Sequence, residues 1–253
     1  MLNTNKKQLT ELKTKVQNMP CSGTRIFWDQ YLTSQNYFGA FGRGAFDFDT
    51  FWPTKDIVPV ETSAYTQAAV QMFYNWSESA CIGQASGSLT ERLRQCGVKI
   101  DLTHVTSVRA MFSYDYFTEI PELDLSTITK SDGLSSTFAH CWDRLKRIEK
   151  LISSAQTLWH SGTFTNATGL THCPIEGVIE SGTFDIHWST ALDKESIVSI
   201  INCLSDNAGG QTASLSLTAV KSAFNTTDPD TCAEWQELIA PKTADGKWII
   251  SLV

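Results

Sequence analysis

The five histidines, the seven cysteines and a few paired acids are the residues of this chain whose types could do chemistry. His104, His140, His160, His172 and His187 occur in no HExxH or HxxxH spacing, so the helical pattern that aims two imidazoles at one zinc ion is absent. His140–Cys141 and His172–Cys173 are adjacent pairs. A Cys–His nucleophile needs contact in space, and neighbours on a strand face opposite sides. Neither a GxSxG elbow nor a GxxxxGK[ST] phosphate loop occurs. Asp47 and Asp49 would share one face of a strand and so suit a metal or a carboxylate pair, but beside Gly44 they read as solvated turn acids. Glu119 and Glu122 flank Pro121 and read as solvating residues at a sheet edge. No catalytic, cofactor-binding or metal-ligating residue is assigned, and no cofactor is expected.

The cysteines, at 21, 81, 96, 141, 173, 203 and 232, form an odd, scattered set without CxxC. They read as reduced, mostly buried thiols of a protein made in a cytosol. The sequons at Asn75, Asn166 and Asn225 read as chance, because the first residues carry two lysines but no apolar core and so do not form a signal peptide. Net charge is −7, and Arg144, Lys146, Arg147 and Lys150 make the one short basic cluster. Without a basic face no nucleic-acid partner is expected. No apolar run is long enough to cross a bilayer, so no membrane insertion is expected.

Four segments would position these residues. Residues 1–20 carry a helix over 3–18, capped by Asn3 or Thr4 and stopped by Pro20. Its heptad-like stripe is Leu2, Leu9, Leu12, Val16 and Met19. So short a helix must pack on something, either its own domain or a parallel trimer seam or attachment point. Residues 21–57 crowd aromatics from Phe27 to Trp52 around Gly39, Gly42 and Gly44. They read as an N-terminal cap, with sugar stacking as the functional alternative.

Residues 58–180 repeat. Phe112, Phe138 and Phe164 are 26 apart, and Val70–Met72–Phe73 reads as an earlier, degenerate copy. A second ladder joins Ile120, Ile148 and Ile175, and a third Leu123, Leu151 and Val178, as short strands carrying inward residues three apart. The fold expected is an α/β repeat: a leucine-rich-repeat solenoid with a parallel sheet on one side, an N-terminal helix and an α+β C-terminal cap. In the cap, residues 181–253, Asp193 would open one helix, Thr218 a second, and a Thr231–Glu234 capping box a third. TASLSL and KWIISLV would be its strands.

Trp142, Trp159 and Trp188 fall at or near repeat corners, where a side chain can leave the core. The pairs Trp159–His160 and His187–Trp188 are the candidate surface-binding residues.

Three stretches carry a resemblance. They are FWDQYL…YFGAFGRGAF…FWPTKDIVP, CGVKIDLTHVTSVRAMF…IPELDLS, and WSTALDKESIVSIINCLSD…SLSLTAVKSAF…EWQELIA…KWIISLV. Together they resemble the BspA-type leucine-rich-repeat proteins of bacteriophage and prophage tail or structural modules in Gram-positive bacteria. The insertion over 74–95 departs from the pattern. The resemblance implies a right-handed solenoid and a non-enzymatic virion protein of a tail, baseplate or head fibre, made in the bacterial cytoplasm. Its partners would be other virion proteins, through the N-terminal helix, and a host surface protein or glycan. The alternatives are a bacterial adhesion or protein-interaction module and, less favoured, a cell-wall glycan-cleaving enzyme, which would need a carboxylate pair facing a groove.

If the N-terminal stripe is a seam, light scattering will give a trimer for the whole chain and a monomer without residues 1–20. Monomers in both would remove the seam.

Overall fold

Phe112, Phe138 and Phe164 do lie one upon the next. In this computed structural model, which describes residues 26–27, 51–63, 66–74, 87–207 and 209–253, Phe73 heads their stack. Centroid spacings down the stack are 5.2, 5.7 and 5.3 Å, with planes within 16° of parallel. All four rings are fully buried. A repeat of 26 residues closes one coil of chain on the next. Each coil is tied to its neighbour by the backbone, as where Phe112 N donates to Thr137 O and Phe138 N to Thr163 O, both at 2.9 Å. The stack tilts at its lower end, where Phe184 meets Phe164 at 59° and Trp159 edge-on.

Opposite the rings, short strands pair in parallel. They are β1 (Ile26–Phe27) with β2 (Phe51–Trp52), β3 (Glu119–Ile120) with β5 (Arg147–Ile148), β4 (Leu123–Asp124) with β6 (Leu151–Ser153) and β8 (Ile175–Gly177), and β7 (Leu158–Trp159) with β9 (Ser181–Gly182). β10 (Phe184–Asp185), β11 (Gln211–Leu215) and β12 (Trp248–Leu252) form a further sheet in that order.

This corrects the expected leucine-rich-repeat solenoid. Among the described residues the strands fall into five separate sheets of two or three, and no continuous sheet runs along one side. The residues between the strands explain the division. Pro121 and Pro174 have no N–H to extend a ladder. Asp124 Oδ1 accepts from Ser126 N at 2.9 Å and turns the chain after two residues of β4. Gly177 and Gly182 have φ of 98° and 92°, and a Cβ on either would sit 2.0 Å from the carbonyl oxygen of Ser153 or Trp159.

The ladders also shift. Ile120 faces Ile148, and Arg147 pairs with His172, so the place beneath Ile148 falls to Cys173. Leu123, Leu151 and Ile175 form the next column. Val178, expected inside, is 38% exposed, and Ile179 is buried instead. Cys173 and Ile175 are two positions apart, where Ile120 and Leu123, and Ile148 and Leu151, are three apart.

Four helices complete the described chain. α1 (Leu89–Cys96) is capped by Ser88, whose hydroxyl accepts from Glu91 N, and ends on Gly97 at φ 68°. α2 (Lys194–Cys203) is capped by Asp193 and buries Ile197, Ile200 and Ile201. α3 (Leu217–Ala223) is capped by Ser216 rather than started by Thr218. α4 (Ala233–Thr243) begins after Cys232 with no side-chain cap. The expected box does not form, because Thr231 belongs to the 3-10 turn Pro229–Thr231 and the N-cap position falls to Cys232, one residue later. The N-terminal helix, with Leu2, Leu9, Leu12, Val16 and Met19, lies outside the described residues, as does most of the aromatic cap.

Truncating the middle ring should unfold the coils on both sides of it. Phe138→Ala is expected to cost about 3–5 kcal/mol, read from denaturant midpoints. A loss below about 1 kcal/mol would mean that the rings stack without carrying stability.

Candidate functional site

Two residues beyond Phe112, Phe138 and Phe164 the chain turns, and the side chain there points out. Tyr114, His140 and Asn166 follow Phe112, Phe138 and Phe164 by two, and all three have left-handed backbone at φ 61°, 59° and 58°. The backbone bond that closes this turn recurs one coil lower, at Trp188, without the left-handed backbone. Asp115 N donates to Phe112 O, Ala167 N to Phe164 O and Ser189 N to Ile186 O, so Trp188 occupies the place held by Tyr114 and Asn166 above it. The period that stacks the core rings therefore stacks a second, outer set.

That outer set is in contact. The rings of Tyr114 and His140 are 4.6 Å apart at 20°, and Tyr74 meets Tyr114 edge-on at 5.7 Å. Asn166 Nδ2 donates to His140 Nδ1 at 3.0 Å. Trp142 stands across the stack, 71° to Tyr114 and 54° to His140, and is 39% exposed. Its φ is 45°, an unfavourable backbone for a bulky side chain. Gly169 makes this turn feasible: its N–H donates to Trp142 O at 2.6 Å, and a Cβ there would lie 2.5 Å from the Asp143 carbonyl carbon. The Arg144 guanidinium lies 3.5 Å over the Tyr116 ring and 5.3 Å from that of Trp142.

Beneath the ridge sits a buried acid. Asp115 Oδ1 accepts from Tyr116 N at 2.6 Å, while Oδ2 is buried with no hydrogen-bond partner among the described residues. Burial pushes its carboxyl well above the usual range. Cys141 donates to Phe112 O at 3.2 Å. Burial, with the Asp115 charge beside it, raises its thiol strongly. Cys173 is raised by burial too, and Cys96 and Cys203 are pushed up to about 11. Neither His–Cys pair thus presents a thiolate at neutral pH.

The sequence-predicted surface pairs part company. Trp159 is 3% exposed, its Nε1 donates to Ser153 Oγ at 3.0 Å, and it belongs to the core rather than the surface. His160, half-buried, accepts from Gly162 N at 3.0 Å. His187 and Trp188 remain at the surface, with rings 4.8 Å apart, and His187 Nδ1 donates to Asp185 Oδ1 at 2.5 Å. Sequence reading weighed tryptophans and passed over Tyr114 and His140, although their 26-residue spacing matches that of the phenylalanines.

Two other groups are accounted for by structure. His172, Asp193 and Glu195 bring ligand-type atoms within 4.8 Å of one another. There His172 Nδ1 donates to Asp193 Oδ2 at 2.6 Å, and Asp193 already caps α2. A groove between α1 and β4 is lined by Arg94, Lys99, Asp101, Glu122, Asp124 and Glu149 among others. Asp101 is held below the usual range by the hydroxyl and amide of Thr103, the reverse of what a general acid needs. Glu122 is tied to Lys150 at 3.0 Å.

No protein-family model, curated protein or solved structure matches this chain.

Asp115 yields a pH test. Its raised folded pKa means that the unfolded chain ionises first, so its contribution to stability is complete below about pH 4 and is lost as pH rises toward the folded value. The stability of Asp115→Asn relative to the parent chain should therefore climb with pH above about 4, by up to about 1.4 kcal/mol per unit. Parallel stability curves for the two proteins would show that Asp115 is not buried as described.

Proposed function

We propose that this chain is a non-enzymatic, virion-associated protein of a phage tail, baseplate or head fibre, and that it contributes to attachment at the host surface. The observation that carries the reading is the outer ridge of Tyr74, Tyr114, His140 and Trp142. It is a row of rings held outside the core by the same coils that stack the phenylalanines. Aromatic side chains offer a large, rigid contact area with few rotors to freeze, and tryptophan and tyrosine dominate the energetics of contact surfaces. The left-handed backbone at Trp142 holds an exposed indole in a conformation that core packing alone does not call for.

Support for the virion setting comes from the residue order of the closing segment, WSTALDKESIVSIINCLSD to KWIISLV, which resembles that of phage and prophage structural-module proteins. In this reading the stripe of Leu2, Leu9, Leu12, Val16 and Met19 joins other virion proteins, or two further copies of the chain. The ridge faces the host.

Mass spectrometry of gradient-purified virions should find the protein, and its absence would end the reading. Virions carrying Trp142→Ala should adsorb to host cells about tenfold more slowly or worse, equivalent to roughly 1.4 kcal/mol of contact energy. Unchanged adsorption with the variant incorporated would take the ridge out of attachment.

A further inference from the structure

The ridge has one charged member, and it is unmatched. Among the described residues several surface arginines and lysines sit beside acids, Arg94 by Glu91, Arg109 by Asp132, Lys130 by Glu61 and Lys242 by Asp206, while the scattered Lys55, Lys221 and Lys247 stand alone. Arg144, Lys146 and Arg147 form no such pair. A chain with net charge −7 thus leaves three cations unneutralised within four residues, beside its most exposed ridge tryptophan. Arg144 Nη1 is buried without an acceptor. That nitrogen is closed to a ligand and one face of the guanidinium is used by Tyr116 at 3.5 Å, which leaves the edge formed by Nε and Nη2 as the pair of in-plane donors a ligand could reach.

From this juxtaposition we infer that the Trp142–Arg144 end of the ridge binds an acidic carbohydrate. A sugar ring lies against the Trp142 indole, and its carboxylate or phosphate is taken by the Arg144 guanidinium. The inference rests on the reading of the ridge as the contact surface and gives that surface its ligand class. The chemistry of each part matches. The C–H bonds on the flat side of a pyranose carry slight positive charge and are drawn to the negative face of an indole. A guanidinium presents parallel donors in the spacing of two carboxylate or phosphate oxygens. Tyr114 and Asn166, half-buried along the same ridge, supply polar groups for sugar hydroxyls. Lys146 and Arg147, both exposed, add long-range attraction for an anionic polymer and make binding sensitive to salt.

Calorimetric titration of the full chain tests this with three probes: tetragalacturonic acid, its neutral methyl ester, and maltotetraose phosphate. One or both acidic sugars should bind at least about tenfold more tightly than the ester, with affinity falling as salt is added. Which acid binds separates the carboxylate from the phosphate. Arg144→Gln should reduce the acidic sugar to the level of the ester. Trp142→Ala should abolish binding, and Trp142→Phe should restore part of it, with circular dichroism confirming the fold of each. Equal binding of acid and ester, or an acid preference that survives Arg144→Gln, overturns the inference. If no probe binds while Trp142→Ala still slows adsorption, the ligand class is wrong and the contact surface stands, with a protein partner. If Trp142→Ala leaves adsorption intact, the contact-surface reading fails first and the inference falls with it.

Discussion

The parallel stack of Phe73, Phe112, Phe138 and Phe164 is the contact on which the rest of the molecule depends. Short strands of two or three residues supply too few ladder bonds to hold a coil in place by themselves. The rings of successive coils pack on one another in a core that α1 and α2 also share, so the ring spacing and the backbone bonds between coils must agree. They do, because phenylalanines 26 residues apart set the contour length of each coil. Where Ile186 replaces the ring and Phe184 enters tilted, the regular part ends and the helices and the β10–β11–β12 sheet take over.

The outer ridge follows from the same constraint. The left-handed backbone two residues after Phe112, Phe138 and Phe164 turns those side chains outward, and their spacing is inherited from the rings. Tyr114 and His140 stack because Phe112 and Phe138 do. A surface built this way is rigid without having to be bound to anything, which lowers the ordering cost of a contact. The buried Asp115 lies directly below it, its carboxyl without full hydrogen bonding among the described residues.

Much of this was legible in the residues, and the failures have physical causes. The spacing of Phe112, Phe138 and Phe164 shows the coil period, and Asp193 caps its helix as its position predicts. The continuous sheet was not to be had, because Pro121, Pro174 and the Asp124 turn interrupt pairing in ways that apolar spacing does not register. Val178 was placed inside by a spacing that holds only while the ladders of each coil are three positions apart. The Thr231–Glu234 pattern has the right residue types for a capping box, but Thr231 ends a 3-10 turn and the N-cap is Cys232. Trp159 and Trp188 each neighbour a histidine in sequence and are opposite in burial, which only the register of neighbouring coils decides.

The claim that the ridge is the surface at which this protein meets its target is tested most directly by oxidative footprinting of intact virions, free and bound to host envelope fragments. Hydroxyl-radical labelling read by mass spectrometry should show Tyr114, His140 and Trp142 protected on binding, while Ile249, exposed on β12, is labelled equally in both states. Protection around Ile249 with the ridge labelled as before would place the contact elsewhere and contradict the claim.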